Sequence, residues 1–205
     1  MVWCATNYWV DRNRLSSVKR VENDAIQEWL VTDDWFAAAL NRQHFFLTST
    51  IMIRKQVFDR VEQYDSQLPS GQDVDLWWRI ALSFPKSGFY TAPLARYREQ
   101  LPNSLSSGGR WRQKSIVTYL TTHLEAARRP TANPSYRECV RFWSVDMCRR
   151  SLGKGFPDSA AELQREMPRD WIPNRLRWLI KIACWAPGMV QHLARYRRQI
   201  LRRFR

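Results

Sequence analysis

A chain of 205 residues that is 44% hydrophobic and 13% aromatic can bury the core of one large domain or one and a half, which excludes the disordered class. A formal net charge of +14 selects for anionic partners: a phosphorylated substrate, an anionic membrane face or nucleic acid. Cys4, Cys139, Cys148 and Cys184 form no Cys-x-x-Cys and have no histidine at ligand spacing, so a zinc site and a disulfide framework are set aside in favour of free thiols in a reducing cytoplasm.

The elements follow in chain order. Val2 to Val10 is rich in valine, threonine and aromatics and predicts a strand, one that lacks the basic start and apolar run of a signal peptide. A strand so early points to an upstream pairing partner. Asp11 to Asn23 is polar and predicts a loop or hairpin tip; helical patterns follow over Ala25–Leu30 and Trp35–Leu40, with Asp33 and Asp34 as caps. Phe45 to Ile53 predicts a buried strand, and Arg54 to Val61 a short helix with Val57, Phe58 and Val61 on one face. Pro69-Ser70-Gly71 marks a turn. Gln72 to Ser83 predicts a helix with Leu76, Trp77, Ile80 and Leu82 on its apolar side and Asp73 and Asp75 at its positive end. Gly88–Thr91 and Pro93–Arg98 read as two extended pieces, and Ser104–Arg110 as a loop at a domain boundary.

Beyond residue 110 the periodicity is helical. Ile116, Tyr119, Leu120, His123 and Leu124 share one face, and Cys139, Phe142, Trp143, Met147 and Leu152 another. Pro130 and Pro134 separate the two helices, Ser159–Met167 is a shorter helix between prolines, and the turn at Pro173 opens the last helical region, which Pro187-Gly188 breaks. The apolar stretch Leu176–Trp185 is too short to span a bilayer and contains Arg177 and Lys181. His44, His123 and His192 are far apart and read as surface or packing residues.

Five segments carry chemistry when taken together: Thr-Ser-Thr-Ile-Met-Ile-Arg (48–54), Val-Phe-Asp-Arg-Val-Glu-Gln-Tyr-Asp (57–65), Gly-Gln-Asp-Val-Asp-Leu-Trp-Trp-Arg-Ile-Ala (71–81), Ala-Pro-Leu-Ala-Arg-Tyr-Arg (92–98) and Asn-Ser-Leu-Ser (103–106). In this order and with these gaps, residues 1–106 resemble the acceptor-side half of a family 2 glycosyltransferase of the GT-A fold. The resemblance implies an α/β fold: a partial GT-A-like, half Rossmann-like sheet with helices over 1–106, followed by a mostly α-helical region over 107–205. It also implies inverting transfer of a sugar from a nucleotide sugar to a cell-envelope glycan or lipid-linked acceptor, in polysaccharide biosynthesis.

Inversion needs a base to take the proton of the attacking hydroxyl, and the resemblance gives that role to Asp73. A helix N-terminus holds such a carboxylate in one geometry; on the residues alone, Asp73 is an ordinary first-turn acid. Asp75, Trp77, Trp78, Arg79, Tyr97 and Arg98 are the candidate substrate-binding residues. Beside that role, Asp75 and Arg79 have the spacing of a helical ion pair, the adjacent Trp77 and Trp78 point to different sides with one or both in the core, and Arg96 and Arg98 read equally as strand-edge charges.

The chain departs from the family pattern at four places. Glu62-Gln63 stands where Gly-Gly or Gly-x is usual, Gln72 replaces the glutamate before the base, and Gln100 occupies the place of a histidine. No Asp-x-Asp half precedes Val2, so no metal ligands are assigned; Mn2+ or Mg2+ is expected only if a missing nucleotide-binding half is supplied, as by a partner chain. The expectation is thus of a truncated enzyme, inactive alone unless completed, with an unpaired sheet edge that promotes self-association.

A second function class competes. After Asp170 there is no acid but nine bases, from Arg175 to Arg205. Leu193, Tyr196, Ile200, Leu201 and Phe204 face one way, and with Trp178, Leu179, Ile182 and Trp185 they predict a basic amphipathic helix pair. That reading gives a non-catalytic scaffold on an anionic membrane surface, peripheral at the inner face of the plasma membrane; its rival is a helix docked on its own domain. Nucleic acid ranks last, since no recognisable binding module is present.

Overall fold

The computed structural model describes residues 1–11, 28–41, 46–68, 71–98 and 111–186, with the backbone alone for 9–11, 97–98 and 111–117. The chain divides into two compact units, Met1–Gln67 with Gly71–Gly109, and Arg110–Arg205 with the short Leu68–Ser70 segment. The first holds a mixed four-strand sheet with helices and the second is mostly helical, so the class is mixed α/β.

In the first unit the strand order is β2-β4-β1-β3, with β1 at Trp3–Asp11, β2 at Trp29–Thr32, β3 at Ile51–Ile53 and β4 at Ser87–Arg98. The two central strands, β1 and β4, run parallel, and both edge strands pair antiparallel. The pieces expected at 88–91 and 93–98 form one strand. Its register on β1 slips around Asn7, opposite Pro93, which has no N–H to give to the ladder. Asn7 Oδ1 accepts from the Tyr8 amide at 2.9 Å across that irregularity.

Two expectations are corrected here. Trp29 and Leu30 lie in β2 rather than in a helix, because pairing with β4 outweighs the local pattern. Trp29 stands opposite Tyr90 with ring centroids 5.1 Å apart, and the Glu28 amide donates to Thr91 Oγ1 at 3.0 Å. The buried strand expected over 45–53 is a three-residue edge strand with Met52 exposed, preceded by a 3-10 turn at Thr48–Thr50. The Thr50 hydroxyl accepts from Leu47 N at 3.2 Å and donates to Leu47 O at 3.0 Å, holding the backbone in a turn that a strand would not permit.

Three helices complete this unit: α1 (Trp35–Leu40), α2 (Phe58–Val61, after a 3-10 turn at Lys55–Val57) and α3 (Gln72–Ser83). Asp34 caps α1, its Oδ1 accepting from Ala37 N at 3.1 Å. Asp33, given the same role from sequence, instead pairs with Lys86 at the surface, 3.0 Å away. The core is aromatic. Trp3 lies 5.6 Å from Trp35 and 4.8 Å from Phe46, its indole N–H donates to Phe84 O at 2.9 Å, and Phe36 meets Trp78 edge-on at 6.5 Å.

The second unit contains α4 (Trp111–Arg128), α5 (Pro134–Lys154), α6 (Pro157–Glu166) and α7 (Asn174–Trp185). Asn133 caps α5 by accepting from Tyr136 N at 3.1 Å, with Pro134 in the first turn where its missing N–H costs nothing. Arg137 donates to the carbonyls of Ala127 (3.1 Å) and Arg129 (2.9 Å), closing the end of α4. Gly155 takes the left-handed conformation that ends α5, and Phe156 N returns to Ser151 O at 2.8 Å. His123, expected as a surface or packing residue, is buried with its Nδ1 2.7 Å from Tyr136 Oη.

In α5 Cys139 and Leu152 are buried as expected, whereas Phe142 is exposed and Trp143 and Met147 are half-buried; Tyr136, Val140 and Cys148 complete the buried side. Tyr136 on this side of α5 meets α4 through its hydroxyl at His123. Among the described residues, no helix is long and apolar enough to cross a membrane. The loops expected at 12–23 and 104–110, residues 25–27, Phe45, Pro69-Ser70, the break at Pro187-Gly188 and the basic tail lie outside the described residues.

Candidate functional site

Of the residues that the sequence singled out, Asp73 and Asp75 lie in the first turn of α3. Gly71 enters the helix at φ 81°, a left-handed turn suited to glycine, and its carbonyl accepts from Asp75 N at 2.9 Å. Asp73 is then the second helical residue. Its Oδ1 accepts from Val74 N at 2.8 Å, and its Oδ2 accepts from Thr48 Oγ1 at 3.3 Å. The carboxylate is half-buried and held from two sides, once by its own helix and once by the turn that leads into β3.

Tyr64 is the third member. Its ring meets Trp77 edge-on at 6.2 Å, burial pushes its phenol above the usual range, and the Asp73 charge adds to that shift. The segments 48–54, 57–65 and 71–81, apart in sequence, therefore supply Thr48, Tyr64 and Asp73 to one neighbourhood. Thr48 and Tyr64 had no assigned role in the sequence; their only signal was membership in the same motif segments as Asp73.

The other candidates turn inward. Trp77 is 3% exposed and Trp78 1%, so both indoles are enclosed by protein instead of one being left for a sugar ring. Two hydrophobic layers need them: Trp77 under Tyr64, Trp78 against Phe36. Asp75 and Arg79 form the helical pair that their spacing predicts, at 2.8 Å. Arg79 does more than pair: it donates to the carbonyls of Val61 and, at 2.9 Å, Gln63. These two carbonyls flank Glu62, which has φ 59° and ψ 178°, a conformation almost confined to glycine. The departure from the Gly-containing family pattern at 62–63 thus falls on a strained residue, and the Arg79 clamp holds the strain. Asp65 closes the following turn by accepting from Gln67 N at 2.8 Å. Tyr97 and Arg98 lie on β4 opposite Val10 and Asp11; their side chains are outside the described residues.

The described residues do not fit a divalent metal. The chain's one Asp-x-Asp is Asp73-Val74-Asp75, and on a helix its carboxylates diverge, Asp75 to Arg79 and Asp73 to Thr48. Among the described residues no three His, Cys, Asp or Glu side chains converge. Chemically the site can orient one carboxylate and accept a proton on it. In comparisons with known proteins the chain matches no family model, no curated protein and no solved structure.

Proposed function

We propose that the first unit is the acceptor-side part of a GT-A-like, family 2 glycosyltransferase, with Asp73 as the base that deprotonates the acceptor hydroxyl. The hydroxyl oxygen attacks the anomeric carbon of a nucleotide sugar, its proton passes to Asp73, and the bond to the nucleoside diphosphate breaks with inversion. The observation that carries the reading is the Thr48–Asp73 hydrogen bond, which joins two of the five motif segments at the residue proposed to react. The parallel β1–β4 pair, with α1, α2 and α3 in the connection beside the edge strands β2 and β3, supports a half Rossmann-like sheet. Asp75 and Arg79 act here as positioning residues, fixing the 61–65 segment and with it Tyr64. The acceptor is a glycan or lipid-linked glycan of the cell envelope, and Mn2+ or Mg2+ with the nucleotide diphosphate would be held by a nucleotide-binding half supplied to this one, as by a partner chain.

The test is transfer from a panel of nucleotide sugars with Mn2+ to glycan acceptors, comparing the chain with Asp73→Asn. The substitution preserves shape and removes the base, so a loss of about 10²–10⁴-fold is expected. Equal activity in both chains removes Asp73 from the base role. Inactivity of both counts against catalysis by this chain.

A further inference from the structure

Helix α7 presents an apolar face that the described residues of its own unit do not cover. Leu176, Ile180 and Ala183 are buried against the neighbouring helices, whereas Trp178 is 65% exposed, Trp185 88%, and Leu179 and Cys184 are exposed as well. Trp178, Leu179, Ile182 and Trp185 recur at three- and four-residue spacing and form one stripe. Large indoles in water cost free energy that a folded domain normally recovers by burial, so a paired exposure on one helix marks a surface awaiting a partner.

The charge beside the stripe says which partner. Arg175, Arg177 and Lys181 are the charged residues of α7, and residues 171–205 contain nine bases and no acid. The Lys181 ammonium rests 5.3 Å from the Trp178 ring centroid, so cation and indole share one side of the helix. Next to them, a groove of ≈ 460 Å³ runs between α6 and α7, with Ala161, Ile180 and Trp185 as apolar lining and Arg165 and Lys181 as bases. Helix α6, on the other side of this groove, contains Asp158, Glu162 and Glu166 in its sequence, whereas α7 contains no acid.

We propose that α7 is an interfacial membrane helix: it lies along an anionic phospholipid surface, with Trp178, Leu179, Ile182 and Trp185 in the headgroup–acyl boundary and Arg175, Arg177 and Lys181 on the phosphates. Tryptophan favours that depth because its ring is apolar and its N–H finds water or ester oxygens, and long basic side chains reach outward from a shallowly sunk helix. Each base near such a surface strengthens binding by about fivefold, and a single twelve-residue helix is long enough to lie on the surface without spanning it. This inference does not rest on the proposed transferase reaction and stands if that reaction fails.

The experiment uses the full chain and sedimentation with vesicles of phosphatidylcholine, with and without phosphatidylglycerol. Binding is expected only with the anionic lipid, with loss on adding salt. The double substitution Trp178→Ser with Trp185→Ser removes two inserted rings from exposed positions and is expected to weaken partitioning by about tenfold or more. Circular dichroism should be unchanged. Quenching of tryptophan emission by brominated lipid should also fall in that variant, a readout that charge attraction by the tail cannot mimic. Arg175→Glu with Lys181→Glu is expected to weaken anionic binding while leaving the fold intact.

Four outcomes overturn the proposal: vesicle binding that the tryptophan variant leaves unchanged, equal binding to neutral vesicles, a stable dimer broken by the same substitutions without vesicle binding, or preferential binding of generic duplex DNA or RNA that ignores both tryptophans.

Discussion

Helices α3 and α7 make an instructive pair. Each has twelve residues, two tryptophans and an amphipathic pattern. In α3 both tryptophans are enclosed and the one base is bound to a carboxylate four residues away. In α7 both tryptophans face outward and the helix contains no acid. Similar composition thus serves opposite ends: α3 stabilises a core and aims a carboxylate, while α7 leaves its binding energy unspent on its own fold. The arrangement of neighbours, more than the residue types, separates a helix with enclosed tryptophans from one with exposed tryptophans.

The comparison predicts its own largest effect. Trp78→Ala should destabilise the first unit by about 3–5 kcal/mol, because it empties a large volume beside Phe36. Trp178→Ala, by contrast, should change stability by no more than about 0.5 kcal/mol, since its ring is in solvent. Urea unfolding of the two variants measures both; equal losses would erase the distinction.

A smaller effect concerns ion pairs. Arg79→Ala removes the ion pair of the buried Asp75 and releases both carbonyls around Glu62, for an expected loss of about 2–3 kcal/mol. Arg141→Ala removes an exposed pair with Glu138 and should cost less than about 0.5 kcal/mol. Adding Glu62→Gly to Arg79→Ala should recover about 0.5–1 kcal/mol, because glycine adopts φ 59° freely. A double-mutant cycle showing no coupling between 62 and 79 would remove the clamp from the account.

The third test compares two thiols of the second unit. Burial pushes Cys148 from 9.0 up to about 12, and its Sγ lies 3.7 Å from Ala160 O. Cys184, on α7, is exposed. Below pH 9 both the folded and unfolded forms of Cys148 keep their proton, and stability is independent of this group. As pH rises from 9 toward 12 the unfolded chain ionises first and releases its proton, so stability falls by roughly 1.4 kcal/mol per pH unit from this thiol. The fall ends once the folded thiol also ionises. Chemical unfolding across that window should be flatter in Cys148→Ala than in the parent, while Cys184→Ala should stay closer to the parent, because burial and Asp158 also raise the Cys184 thiol but by less.

Strong periodic segments were legible before any coordinates. The α3 span, the burial of Tyr119, Leu120 and Leu124, the Asp34 cap and the Asp75–Arg79 pair all follow from local rules that residues three or four apart must obey. The segments that misled are those where two local states are close in energy. Trp29-Leu30 carries a weak helical pattern and strong strand residues, and pairing with Tyr90 and Phe89 decided it. In α5, Phe142 and Val140 are both apolar, and packing decided which one faces the core. In the candidate site, Asp73 was legible through its motif, whereas Thr48 and Tyr64 were not, since a threonine and a tyrosine carry no mark of which distant carboxylate they will meet.

The amino-acid sequence by itself determined that the chain folds, that its second half is helical, that α3 runs from Gln72 to Ser83, and that the residues after Asp170 are purely cationic among their charges. These properties reside in composition and short-range periodicity, where the chain's own geometry limits the outcomes. Only tertiary structure decided the strand order, the enclosure of Trp77 and Trp78, the clamp of Arg79 around Glu62 and the exposure of Trp178 and Trp185. Each of these depends on which distant surface arrives, and the free energy of burial, not local preference, makes that choice.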